Sequence, residues 1–145
     1  MYMKLEIVID KEREEKVLIC AHKKTRLVEE IEQLVHDNAF ELIGYQGKTA
    51  VKLNTNEVDC FITEDNKVFA LIQNEKLQLK CRLYQLEANL SEGFVKINQS
   101  CIANMKRIDR FQASVGGALT VVFKNGYKDY VSRRNLKNVK ERLGL

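Results

Sequence analysis

Five cationic side chains, Arg133, Arg134, Lys137, Lys140 and Arg142, fall within ten residues near the end of this 145-residue chain. Guanidinium and ammonium groups at that density suit phosphate, because neutralising a polyanion and releasing its counterions supplies most non-specific nucleic-acid affinity. The surrounding charge agrees. Residues 94–145 hold 11 Lys and Arg against 3 Asp and Glu, whereas residues 1–93 hold 13 against 17, so a basic third follows an acidic two-thirds within a net charge of +4. The other reactive side chains form no comparable group. Cys20, Cys60, Cys81 and Cys101 are too dispersed for a zinc ribbon or a C-x-x-C redox pair and read as reduced, buried thiols. His22 and His36 stand apart and read as surface residues. The sequence has no recognisable nucleophile-base motif, glycine-rich phosphate loop or metal-ligand spacing, so we expect neither an enzyme nor a protein with a cofactor or metal.

The basic cluster needs a helix to carry it. Ser132 is placed to be the N-cap, its hydroxyl accepting a free N–H of the first turn, and Leu136, Val139 and Leu143 make the buried stripe. Two arginines at a helix start oppose the helix dipole, a small cost that favours a functional reason for them. Ahead of this helix, residues 107–115, 119–123 and 127–131 read as a three-stranded meander. Gly116-Gly117 and Asn125-Gly126 close it, as two-residue hairpins with positive φ at both positions prefer. Strands are also expected over 42–45, 49–53, 58–63, 67–72, 76–79 and from 94 to 97. Polar turns at 64–66 and 73–75 separate some of them, and a short helix carries Leu83, Leu86 and Leu90.

Residues 1–45 look like a separate strand-strand-helix unit, with strands over 5–9 and 16–20 and a helix from the N-cap Thr25 to about residue 36. Leu27, Val28, Ile31, Leu34 and Val35 share one face of that helix, and Glu29, Glu30 and Glu32 occupy much of the other. An acidic helix repels phosphate, so it suits packing on its own strands or on a second subunit. The expected fold is therefore α+β and mainly antiparallel β, with a small N-terminal unit over 1–45 and the main domain over 46–145. The charged N-terminus is no signal peptide and no apolar run approaches the ~20 residues that span a bilayer, so a cytoplasmic location is expected.

Two stretches carry a family resemblance. The first runs Phe94-Val95-Lys96-Ile97-Asn98-Gln99-Ser100-Cys101-Ile102-Ala103-Asn104-Met105-Lys106-Arg107-Ile108, and the second is Asn125-Gly126 followed by Tyr130-Val131-Ser132-Arg133-Arg134-Asn135-Leu136-Lys137. In this order and spacing they resemble the LytTR DNA-binding domain of bacterial response regulators, and the likeness extends over about residues 55–145. The resemblance implies a mostly β domain that reads the major groove with loops and binds paired short repeats. It also implies a transcription regulator whose partner is double-stranded DNA. In that frame Asn98, Gln99 and Ser100 match a DNA-contacting loop, and the amide of Gln99 can pair with adenine. Arg134 matches a base-reading arginine whose fork fits guanine, with Ser132, Arg133 and Asn135 beside it at phosphate. Where some members place a His, this chain has Asn66 and Lys67 beside Asp65, and the usual basic residue of the polar pair is absent at Asn98-Gln99. Lys106, Arg107 and Lys137 complete the expected DNA-binding set as phosphate neutralisers, whereas Asn104 is expected to bond its own backbone at a turn.

The first 50 residues are too few for a phosphoacceptor receiver. The paired sites of the family and the acidic amphipathic helix suggest a homodimer as the expected assembly, and analogy with short members of the family adds a membrane-bound inhibitory protein as a further partner. The competing reading is a protein-interaction module whose basic face meets an acidic partner without reading bases.

Overall fold

The computed structural model describes residues 2–39 and 41–145, with side chains left out over 36–39; the surface position expected of His36 lies outside the described residues. Helix α1 (Arg26–Ala39) is followed by strands β1 (Leu42–Gln46), β2 (Thr49–Leu53), β3 (Cys60–Glu64), β4 (Lys67–Ile72) and β5 (Glu75–Leu79). Then come α2 (Leu83–Asn89), β6 (Phe94–Asn98), β7 (Cys101–Asn104), β8 (Ile108–Ala113), β9 (Leu119–Phe123), β10 (Lys128–Val131) and α3 (Arg133–Leu143). The strands form a seven-stranded sheet in the order β2-β1-β5-β4-β3-β7-β6 and a three-stranded sheet in the order β10-β9-β8. Every pairing is antiparallel.

Alternation of side chains along a strand gives the large sheet two apolar faces, so each needs its own cover. On one face Cys60, Ile62, Val95, Ile97 and Cys101 pack against Leu119, Val121, Phe123 and Val131 of the small sheet and against Val139 of α3. On the other, Phe61, Val68, Ala70, Leu79 and Ile102 pack with Leu86 of α2. The predicted stripe of α3 is confirmed, with Val139 fully buried and Leu136 and Leu143 partly so. The meander is also as predicted, but its turns are longer. Phe123 N–H bonds the Tyr127 carbonyl while Gly126 N–H bonds that of Phe123, and of the expected pair only Gly126 has positive φ. This is a three-residue loop ending in a left-handed glycine.

The N-terminal segment departs from expectation. Residues 5–9 and 16–20 form no strands. Leu5, Ile7, Ile9 and Leu18 are 86%, 75%, 94% and 77% exposed, and among the described residues from 2 to 35 no side chain is buried. An isolated hairpin is marginal in water without an apolar layer to cover it, and this chain places no such layer there.

The cysteines divide as well. Cys60 and Cys101 are buried, Cys81 is intermediate and Cys20 is exposed, so the expectation of four buried thiols holds for two. A hydrogen bond with Cys60, burial and the charge of Asp129 all push the Cys101 thiol up. Because the thiolate is the nucleophile, alkylation of the folded protein is expected to label Cys20 first and to spare Cys60 and Cys101. Mass spectrometry of peptides after a short iodoacetamide pulse checks this.

Candidate nucleic-acid interface

Three turns that are distant in sequence meet at one edge. The β3–β4 turn carries Asp65 and Asn66, both with positive φ (52° and 62°). Asp and Asn tolerate that conformation better than other side chains, so the polar turn read from the sequence is built as a two-residue hairpin. The β6–β7 turn carries Gln99 and Ser100, both exposed. Antiparallel pairing of β3 with β7 brings these turns together, and the Thr63 N–H donates to the Ser100 carbonyl at 2.9 Å. The third member is the start of α3. The Ser132 N–H donates to the Ile97 carbonyl at 2.8 Å, which sets the helix start beside the end of β6.

Asn98 holds this edge together. It was expected to touch DNA, yet it is 1% exposed. Its Nδ2 donates to Asp129 Oδ1 at 2.9 Å and to the Tyr130 carbonyl at 2.8 Å, while its Oδ1 accepts from the Ser100 N–H at 2.8 Å. One side chain therefore shapes the Gln99 turn and ties it to the strand leading into α3. A bulge between Lys96 and Asn98 breaks the alternation of β6, so that Ile97 and Asn98 are both buried and the following Gln99 is exposed. Bulges commonly re-aim side chains next to functional sites in this way. Asp129 is itself anchored: its Oδ1 also accepts from the Tyr130 N–H at 2.9 Å, and its Oδ2 from the Tyr127 hydroxyl at 3.0 Å. Burial, then the charge of Asp129, pushes the Tyr127 hydroxyl far above the ordinary tyrosine range, so it stays a donor.

At α3 the N-cap position is Ser132 as predicted, but its hydroxyl caps no backbone group. It accepts instead from Asn135 Nδ2 at 2.8 Å, because the amide one turn on reaches it first. The first-turn N–H groups of Arg133 and Arg134 thus remain open at the positive end of the helix dipole, beside their exposed side chains. Lys137, exposed one turn further, extends the cationic stripe. Lys67 is exposed at the start of β4, next to Asn66.

Two of the expected residues lie elsewhere. Lys106 and Arg107 follow β7 at the end opposite Gln99 and Ser100, several strand steps of ~3.4 Å away. Lys106 borders a polar cleft of about 310 Å³ shared with Glu29 and Glu32 of α1. The Arg107 Nε donates to Asp59 Oδ1 at 3.2 Å, and Asp59 is fully buried. Asn104 does bond its own backbone, its Oδ1 accepting from the Lys106 N–H at 3.1 Å. Its Nδ2 also donates to the Val58 carbonyl at 2.9 Å. Sequence reasoning missed Asp129, Tyr127 and Asp59. The available signal was the oddity of an acidic residue within a basic third, and of a charge inside the apolar run 58–62.

The sequence pattern of the LytTr DNA-binding domain matches residues 48–144. Two uncharacterized HTH-type transcriptional regulators of Staphylococcus aureus, from strains MSSA476 and MW2, are each 35% identical over 146 residues, covering 99% of this chain and 99% of their own length. A solved LytTr DNA-binding domain from Bacillus cereus superposes with a TM-score of 0.68 at 17% identity, over 72% of this chain and 97% of that one. Although the relatives' names specify a helix-turn-helix type, five strands separate α2 from α3 here.

Proposed function

The chain belongs to the LytTr DNA-binding domain family and is a DNA-binding transcription regulator, and from that premise we propose that it reads the major groove with the edge formed by the β3–β4 turn, the β6–β7 turn and the start of α3. The observation that carries this reading is the hydrogen-bonded union of those three turns through Thr63–Ser100, Asn98–Asp129 and Ser132–Ile97. Base readout needs side chains held in register by a rigid scaffold, and this edge supplies one. Gln99 is assigned to adenine and Arg134 to guanine, the bases their donor and acceptor patterns fit. Ser100, Asn135 and the N–H groups of Arg133 and Arg134 suit phosphate, as do the side chains of Arg133, Lys137 and Lys67. Asn66 takes the contact of the β3–β4 turn. Asn98 acts as a positioning residue, Lys106 adds only to the long-range field, and Arg107 serves the fold. Two copies on paired short repeats would multiply the specificity of one edge through half-site spacing.

Fluorescence anisotropy tests the reading, using duplex DNA from upstream of the protein's own gene against a shuffled duplex over a salt series. The native duplex is expected to bind more tightly and to lose affinity steeply with salt. Arg134→Ala is expected to cost about 1–3 kcal/mol on the native duplex and to relax preference at one position, with Gln99→Ala doing the same at another. Lys137→Ala is expected to weaken both duplexes alike and to reduce the salt slope by about 1. Equal, weak binding of both duplexes would overturn base reading and favour an acidic protein partner.

A further inference from the structure

We infer that residues 4–10 are a self-complementary strand through which two copies of this chain pair. The inference deepens the two-copy part of the proposed function and rests on it only for its biological use. Residues 2–9 lie in no helix and no paired strand of the single chain, and a segment that extends with its N–H and C=O groups unpaired is a template for another. The side chains specify which. Laid antiparallel on itself with Ile7 opposite Ile7, the segment sets Leu5 opposite Ile9 twice, giving one continuous apolar face from side chains that are 75–94% exposed in the single chain. The same register sets Lys4 opposite Asp10 at both ends of the other face, with Glu6 opposite Val8 between them, so opposite charges close that face. A two-fold interface must present one patch to itself, and this segment satisfies that condition in both polarity and charge. Asp10 also accepts from the Glu12 N–H at 3.0 Å and pairs with Arg13, yet 43% of its side chain stays exposed and able to accept from Lys4.

A two-stranded ribbon still needs an apolar cover. Leu27 of α1, 49% exposed, with the half-buried Val28 and Ile31, offers one from each copy. A second copy therefore answers both the unpaired backbone and the uncovered apolar faces of this unit. The reading edge lies elsewhere in the chain, among residues of the two sheets and α3.

The test is the mass of the full chain in solution without DNA, by light scattering and sedimentation from below micromolar to tens of micromolar. The wild type is expected to run at twice the chain mass. Ile7→Lys, which sets like charges at the two-fold, is expected to weaken dimerisation at least about tenfold, and Lys4→Asp about tenfold through two repulsive pairs. Lys4→Asp combined with Asp10→Lys is expected to restore the dimer, because the pairs are re-formed with reversed sign. These side chains are all exposed in the single chain, so each variant is expected to stay folded, its circular dichroism changed by no more than the loss of the short ribbon. A monomeric wild type, a dimer indifferent to Ile7→Lys, or a double variant no better than Lys4→Asp would overturn the proposal. A monomer that still prefers the native duplex would overturn the dimer and leave base reading standing.

Discussion

Arg107→Ala is expected to lower the free energy of unfolding by about 3 kcal/mol, at the lower end of what removing one partner of a buried ion pair costs. The Asp59 carboxylate is fully buried, with Oδ1 on Arg107 Nε and Oδ2 accepting from the Gln73 N–H at 3.2 Å. Without the guanidinium, a negative charge would remain in an apolar layer with one backbone donor to hold it. The lower end applies because the Arg107 side chain is 30% exposed, so water supports part of the pair. The cost belongs to the orphaned charge rather than to lost attraction, and Arg107→Met with Asp59→Leu is therefore expected to recover most of it. Urea denaturation at neutral pH measures both. A loss below about 1 kcal/mol for Arg107→Ala, the range of an exposed surface pair, would remove the structural role. The DNA affinity of folded Arg107→Ala should change little, because its guanidinium is turned to Asp59. A loss of affinity with stability intact would return Arg107 to the phosphate set.

Asn98→Ala is the second large effect, and it should appear in two measurements at once. The change removes three hydrogen bonds from a buried side chain, which is expected to cost about 2–3 kcal/mol of stability. It also unties the Gln99 turn from the strand that sets α3. Preference for the native duplex is expected to fall by about 1–3 kcal/mol, as for the loss of one base contact, although Asn98 itself reaches no DNA. Tyr127→Phe provides the comparison. It removes the hydroxyl from Asp129 but leaves Asn98 bonded to Asp129, so it is expected to cost about 1 kcal/mol of stability and little base preference. If the two variants lose native-duplex preference alike at equal folded fraction, Asn98 has no positioning role beyond general stability. Denaturant unfolding paired with anisotropy on native and shuffled duplexes separates these outcomes.

The elements that were legible are those whose signal is local. The stripe Leu136, Val139 and Leu143, the short apolar runs of β3, β4 and β9, and the Gly and Asn turn signals of the meander each act over a few residues. Strand β7 was not read as a separate element, because a bulge breaks the period of β6 just before it. The N-terminal strands were read from the alternation of residues 5–9 and the short apolar run of 16–20 alone. Alternation states which face would be buried and is silent on whether anything buries it, and Leu5, Ile7 and Ile9 remain exposed in the single chain.

The same division runs through the site. Residue types and spacing alone determined that the C-terminal third is basic and that Arg133 and Arg134 open a helix, whereas the loop at Gln99 and Ser100 came from the family resemblance. Types and spacing also carried that likeness to the LytTR family. Only the tertiary structure decided that Asn98 faces inward to Asp129, that Arg107 serves a buried Asp59, and that Lys106 lies at the far end of β7 beside an acidic helix. The physical reason is that a side chain's chemistry is fixed by its type, but whether it meets DNA or another side chain depends on partners 31 or 48 residues away, as for Asn98 and Arg107. Such partners are brought close by sheet pairing and shared burial, which no local period records.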